Sequence, residues 1–337
     1  MRKYLPILFA AMLLLSCRQQ QEINNFKHSL CEYSLLSAKE AKIAVCRDSM
    51  DAYFEKVNIL EMSIMLQMES PSGERKEVMK NYLALLQNDI EDFSSEEKQL
   101  LISTFNKALD LCRSIDKNLN LPKIQLIKTK GSYYGAGVYY TRENNIIIPE
   151  DQLKSGNKYL LRTLIHEISH IYTRFNPRKK EALYALLGYN KLPNLELSDF
   201  LKKRVIYNPD GVDLAYAIEI SDSSGRKLKA IPSMYSRFSS YKNLPLLKSF
   251  IFQLFEVTEK EGKWMVKNDG VGLSEEQVTG YWDKIGRNTR YTIHPDEIIA
   301  DNFTFLAMSS EDKSEIEKFD EYGKNLLKKM TAIIASK

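Results

Sequence analysis

The segment at residues 159–172, YLLRTLIHEISHIY, constrains this chain more than any other. Its apolar residues recur at intervals of three and four, which predicts an amphipathic helix. His166 and His170 stand four positions apart, so both side chains project from one face of that helix, one turn apart. Two imidazoles in this arrangement can converge on one tetrahedral ion, and such nitrogen ligands favour zinc. Glu167 follows the first histidine directly, so it can take a proton from a water molecule beside the ion.

The context of this HExxH motif supports a metal site over a chance pattern. The chain has only four histidines, so a random match is rare. The segment resembles the zincin metallopeptidases, whose extended signature has uncharged residues around HExxH and an apolar residue after it. The alternative is a helix that carries two surface or core histidines without any ligand. The resemblance implies a zinc-dependent peptidase with Glu167 as general base.

A second helix is predicted at residues 291–305, YTIHPDEIIADNFTF, with a proline in its first turn. Glu297 and Asp301 stand four positions apart on it. This pair resembles the ExxxD motif of the gluzincin type of zincin. The resemblance implies that Glu297 is the third ligand of one Zn²⁺ ion per chain. It also implies that Asp301 accepts a hydrogen bond from the far ring N–H of His166.

Two residues just before Glu297 are candidates for stabilising a developing oxyanion. Tyr291 precedes Glu297 by six positions and His294 precedes it by three, and a hydrogen-bond donor at such a place commonly serves this role. Tyr291 could instead be a packed aromatic, and His294 the N-cap of the helix. If His294 is the N-cap, Glu297 stands where a capping-box glutamate would stand, which competes with its role as a ligand.

The region before the HExxH helix contains two strand-like runs, at residues 133–140 and 145–148, around a turn. Strands followed by the metal helix are the order found in the upper lobe of zincins. In that family the strand at the cleft adds extended substrate to the sheet. Residues 134–138 have the matching position, so Ala136 and Gly137 are candidates for substrate contact.

The first 17 residues have a basic start, an apolar stretch and a cysteine, typical of a secretory leader. Leu14-Leu15-Ser16-Cys17 resembles the bacterial lipobox, which implies lipid attachment at Cys17 and cleavage before it. A plain signal peptide is the alternative. With no Asp after the cysteine, we expect a lipid-anchored protein of the bacterial cell envelope, on the periplasm-facing side of the outer membrane.

The rest of the pattern predicts an α+β protein in three parts. Residues 1–17 form the leader, residues 18–92 an N-terminal helical region, and residues 93–337 a zincin-like domain with a mixed or antiparallel sheet. A β subdomain is expected as an insertion at about residues 205–281, within the 127 positions that separate His170 from Glu297. The net charge of +4, which falls to +2 without Arg2 and Lys3, argues against nucleic acid as a partner.

Two functions are consistent with these patterns. The first is a zinc endopeptidase that is anchored to the membrane and hydrolyses a peptide or protein substrate. The second is a non-catalytic envelope module that keeps the fold for binding or scaffolding. The intact Glu167 favours the first, because a binding role does not need a general base. A hydrolase acting on a cell-wall amide would use the same site.

Overall fold

The computed structural model describes residues 24–69, 74–135, 137–154, 156–267 and 272–336. The leader, with Cys17, lies outside these residues, and so does Ala136. Over the described ranges the chain has an α+β fold with two sheets. No helix in those ranges is both long enough and apolar enough to cross a bilayer.

The first sheet supports the HExxH helix. Its strands are β1 (Asn25–Lys27), β2 (Glu32–Leu35), β3 (Ile90–Glu91), β4 (Ile124–Thr129), β5 (Tyr140–Arg142) and β6 (Asn145–Pro149). The order across the sheet is β1-β2-β4-β6-β5, with β3 beside one end of β4. Strands β2, β4 and β6 are parallel neighbours, whereas β1, β3 and β5 pair antiparallel. All five residues of β6 are buried, as expected for an apolar strand with both faces covered.

The helices pack mainly around these sheets. They are α1 (Ala38–Ala44), α2 (Tyr53–Lys56), α3 (Ile59–Leu66), α4 (Arg75–Asn88), α5 (Ser95–Ile115), α6 (Leu160–Phe175), α7 (Pro177–Leu186), α8 (Asp199–Arg204), α9 (Leu246–Ser249), α10 (Tyr281–Ile285), α11 (Pro295–Met308), α12 (Ser314–Glu317) and α13 (Glu321–Ala335). Helix α6 carries HExxH and α11 carries ExxxD, so both predicted helices are confirmed.

The apolar face of α6 fixes the direction in which its polar residues point. Leu164 and Ile168 are fully buried in one core with Phe105 of α5 and Phe303 of α11. Burying a side chain of this size stabilises the fold by about 1.5–3 kcal/mol. Helix α6 therefore packs against both α5 and α11. This packing brings the two predicted motifs together.

All eight described strands of the second sheet lie between the two motif helices in sequence. Its strands are β7 (Tyr189–Lys191), β8 (Leu195–Glu196), β9 (Val205–Ile206), β10 (Tyr216–Asp222), β11 (Lys227–Ser236), β12 (Phe250–Lys260), β13 (Lys263–Val266) and β14 (Val278–Thr279). The sheet begins before residue 205, the expected start of the insertion, because β7 pairs with β10 and β8 with β13. Strands of two or three residues show too little alternation to be recognised in a sequence.

The N-terminal region is not wholly helical, which corrects the expected division at residue 92. Strand β2 lies parallel to β4, with Tyr33 opposite Ile124. Tyr33 shares one core with Leu101 of α5 and Ile165 of α6. The strand has only four residues, and its apolar end continues into Leu36, so the pattern also fits a helical period. Strands β1, β2 and β3 of this region therefore belong to the first sheet.

Candidate metal centre

Three potential ligand atoms converge between α6 and α11. Nε2 of His166 lies 3.0 Å from Oε2 of Glu297, and Nε2 of His170 lies 3.5 Å from the same oxygen. One ligand atom from each residue lies within 4.8 Å of the other two. The two rings are one helical turn apart, with centroids separated by 4.8 Å. These side chains could hold one cation.

Asp301 fixes the orientation of the first histidine. Its Oδ1 lies 3.0 Å from Nδ1 of His166, and its Oδ2 accepts a hydrogen bond from the Thr289 hydroxyl. If an ion were bound, the ring N–H would stay at Nδ1, facing Asp301, and the lone pair of Nε2 would be available to the ion. The resemblance implied this contact, and the structure brings the two residues together.

Glu297 is held by a residue that the sequence did not suggest. The side-chain amide of Asn208 donates to Oε1 of Glu297 at 2.5 Å, which leaves Oε2 facing the two imidazoles. Glu297 is only 1% exposed. Burial by itself would raise the pKa of Glu297, but the two histidines hold that pKa well below its usual range. The site therefore favours positive charge where the three side chains meet.

His294 is the N-cap of α11 and is not brought into the cleft, which removes the basis for its expected catalytic role. Its Nδ1 accepts from the backbone N–H of Asp296 at 3.2 Å, and its Nε2 lies 3.3 Å from the carbonyl oxygen of Asp213. Gly211 packs so closely that an added Cβ would lie 2.0 Å from Nδ1. His294 therefore satisfies the cap itself, and Glu297 is free to face the histidines.

Glu167 is a buried carboxylate that borders the cleft. It is 4% exposed, and its Oε2 has no hydrogen-bond partner among the residues that the structure describes. Burial and the nearby carboxylate of Asp210 raise the pKa of Glu167 to about 8. A carboxylate with a free oxygen and a pKa near neutrality can accept and return a proton.

The cleft in front of these residues has a volume of about 320 Å³, at the lower end of the range for ligand pockets. Tyr291 and Gly137 are among its lining residues. The ring of Tyr291 lies 6.1 Å from that of His166, centroid to centroid. Although Tyr291 is 45% exposed, desolvation of its hydroxyl in the cleft and the carboxylates of Glu297 and Asp210 raise its pKa well above the usual range, so the hydroxyl stays a donor.

The wall that contains Gly137 is a loop, although a strand was expected at residues 133–140. Residues 132–134 form a turn, and the strand begins only at Tyr140. Gly135 and Gly137 have φ angles of 116° and 77°, which interrupt an extended strand. Gly137 therefore lines the cleft as expected, but from a loop.

Asp210 is a second residue that sequence reasoning missed. It lines the cleft, and one of its carboxylate oxygens lies within 4.8 Å of ligand atoms of both Glu167 and His170. Residues 208–211 read NPDG, a turn signal that carries no relation in spacing to either motif. Only the tertiary fold places this turn against the HExxH helix.

Comparison with known proteins finds no relative: no family model matches the chain, and searches of curated proteins and of solved structures give no match.

Proposed function

We propose that the protein is a zinc-dependent metallopeptidase of the gluzincin type, with His166, His170 and Glu297 as ligands of one zinc ion. The observation that carries this proposal is the convergence of Glu297 on both histidines. The carboxylate comes from a helix that lies far away in sequence. A chance HExxH pattern would have no reason to meet such a carboxylate.

The donor set fits zinc. Two imidazole nitrogens and one carboxylate oxygen are a common three-ligand set for catalytic zinc, and they leave one position open. Asp301 and Asn208 hold two of the ligands by hydrogen bonds at 3.0 Å and 2.5 Å, as supporting residues of metal sites do. When bound, zinc supplies Lewis acidity, which lowers the pKa of a water molecule and polarises a carbonyl group.

The remaining steps fall to side chains of this chain. Glu167 accepts a proton from the attacking water and returns it to the nitrogen of the leaving amine. One C–O bond forms, one C–N bond breaks, and one water molecule is consumed. Tyr291, which lines the cleft, donates a hydrogen bond to the carbonyl oxygen as negative charge develops there. The loop that contains Gly137 forms the facing wall for the substrate.

The proposed substrate is a peptide, because both motifs resemble those of peptidases. The proposed site of action is the bacterial cell envelope, through the lipid expected on Cys17. A lipid-anchored form predicts that the protein from cells partitions into detergent, and that Cys17→Ser abolishes this partitioning.

The test is a count of zinc per chain together with peptide cleavage. Wild type and Glu167→Gln are expected to hold one zinc, whereas His170→Ala and Glu297→Ala are expected to lose it. A peptide library should be cleaved by wild type alone. Zinc retained with Glu297→Ala would refute the ligand set. A Glu167→Gln variant as active as wild type would refute the mechanism and leave the binding or scaffold role.

A further inference from the structure

Asp210 has one carboxylate oxygen occupied and one available. Oδ1 accepts from both the backbone N–H and the hydroxyl of Thr141, each at 2.6 Å. Within the described part of the chain, no donor lies at hydrogen-bond distance from Oδ2. The side chain is thus held firmly through one oxygen while it borders the cleft. The other oxygen can serve a ligand.

The cleft carries more negative charge than a divalent ion balances. Glu167 holds a proton near neutral pH and is not counted, and the other carboxylates of the cleft, Asp210, Glu297 and Asp301, carry one more negative charge than a divalent ion supplies. Arg162 is the one arginine or lysine among its described lining residues, and both of its terminal nitrogens bind Glu315, at 2.7 and 3.0 Å. Arg174 behind the cleft pairs with Asp51 at 2.6 Å. A cationic group on the substrate would offset the surplus.

Next to Asp210, the edge of the first sheet cannot be extended by another strand. Strand β5 is the last in the order of that sheet, so its outer edge could accept an added peptide. The outward N–H of Thr141 in β5 is already bound to Asp210. A peptide lying antiparallel to β5 and the preceding Gly137–Tyr139 segment would point its amino end toward Thr141. Such a peptide can extend no further than Asp210 in that direction.

The short distance between Asp210 and His170 determines which cationic group of a peptide could reach Asp210. In a peptide, the amino nitrogen of the first residue lies about 2.5 Å from the carbonyl carbon of that residue. A lysine ammonium is separated from its own carbonyl by four further methylene groups. A carboxylate oxygen of Asp210 lies within 4.8 Å of a ligand atom of His170. That spacing suits the α-ammonium group beside a carbonyl held at the centre.

We propose that Asp210 binds the free α-ammonium group of the substrate, so that the site removes residues from the amino end of peptides. The inference rests on the proposed metallopeptidase function and narrows its substrate class from internal peptide bonds to the first one. Asp210 is then a specificity residue: it holds the amino end and takes no part in moving protons.

The test measures binding in the zinc-loaded Glu167→Gln protein, where cleavage is expected to be blocked. Leu-Gly-Gly-amide and its N-acetylated form are titrated by calorimetry. The free peptide is expected to bind roughly tenfold to a hundredfold more tightly, and Asp210→Asn to remove that preference. The substitution leaves an oxygen that can accept both bonds from Thr141, so the loop should keep its structure.

Asp213→Asn is the matched control, because Asp213 is in the same loop and carries a half-exposed carboxylate near Lys191. Asp213→Asn should leave the preference for the free peptide over the N-acetylated peptide unchanged. Equal affinity for the two peptides, binding of neither, or a preference that survives Asp210→Asn would overturn the inference. A count of two zinc ions per chain in wild type and one in Asp210→Asn would also overturn the inference, since Asp210 would then be a ligand of a second ion. Failure of the proposed function is separate: it shows as absent zinc or an active Glu167→Gln variant.

Discussion

Nδ1 of His166 lies 3.0 Å from Oδ1 of Asp301, while Nε2 on the opposite side of the ring lies 3.0 Å from Glu297. Both carboxylates come from α11, four positions apart, and they bind opposite edges of one imidazole. The ring therefore has a single orientation relative to α11. A shift of α11 against α6 would disturb both contacts together.

Asp301→Asn is expected to weaken zinc binding about tenfold to a hundredfold while the fold stays intact. The amide still accepts a hydrogen bond from the ring, but it lacks the charge that makes Nε2 a stronger ligand. Competition with a chromogenic chelator measures the affinity. Glu311→Gln, an exposed change just after the same helix, should have no effect. An unaltered affinity in Asp301→Asn would show that the contact does not tune the site.

Asn208→Ala is expected to lower zinc affinity roughly tenfold and the free energy of unfolding by about 1–3 kcal/mol. The variant leaves Oε1 of the buried Glu297 without its donor and lets the carboxylate rotate away from the histidines. Chelator competition and urea unfolding provide the two readouts. Asn190→Ala, at an exposed residue of strand β7, is the control. A loss of stability with unchanged zinc affinity would assign Asn208 to the fold alone.

Tyr291→Phe is expected to reduce kcat by about a hundredfold to a thousandfold, with little change in KM or zinc content. The hydroxyl would act on charge that develops only in the transition state, so substrate binding should not depend on it. Steady-state kinetics on a cleaved peptide separates the two parameters. Tyr322→Phe is the control, since Tyr322 is also about half exposed but does not line the cleft. A change confined to KM would argue against this role.

The buried carboxyl group of Glu61 should make the stability of the protein depend on pH. It is fully buried; its two oxygens accept from the Tyr53 hydroxyl at 3.0 Å and from the backbone N–H of Tyr207 at 3.2 Å. Burial raises the pKa of Glu61 from its ordinary value of 4.5 to about 8. Between those values the folded state keeps a proton that the unfolded state has lost. The free energy of unfolding should therefore fall as pH rises through this window, by up to about 1.4 kcal/mol per unit from this group.

Glu61→Gln removes that dependence, because an amide does not titrate. Urea unfolding of both proteins at several values between pH 5 and pH 8 should give a difference in stability that grows in favour of the variant. Glu55→Gln, an exposed change on the adjacent helix α2, should follow wild type. Parallel curves for wild type and Glu61→Gln would contradict the raised pKa.

The parts of the site that could be predicted from sequence are those set by helix geometry. Spacing alone puts His166 and His170 on one face of a helix. The approach of Glu297 to them depends on how two distant helices pack, so it came only through a resemblance between motifs. Asn208 and Asp210 lie in a turn whose position depends on the second sheet. Their residue types gave no signal.

The fold shows the same division between local and distant interactions. Helices α6 and α11, predicted at residues 159–172 and 291–305, were found close to those bounds, because their periodicity is local. The short strands β1 and β2 were missed, since three or four residues are stabilised by their neighbours in the sheet. A strand was predicted at residues 133–140, where residues 132–135 and 137–139 form a loop, because the tyrosines outweighed the two glycines.

The parallel pairing of β2 with β4 bears on how the protein can be produced. A shortened version that begins near Phe93 would lack β2 and leave the backbone of β4 unpaired along one side. Uncovered apolar strands of this kind join to one another, so such a fragment should precipitate. The part of the chain that carries both motif helices is therefore not expected to stay in solution alone, and measurements of zinc binding or cleavage need a chain that includes β1 and β2.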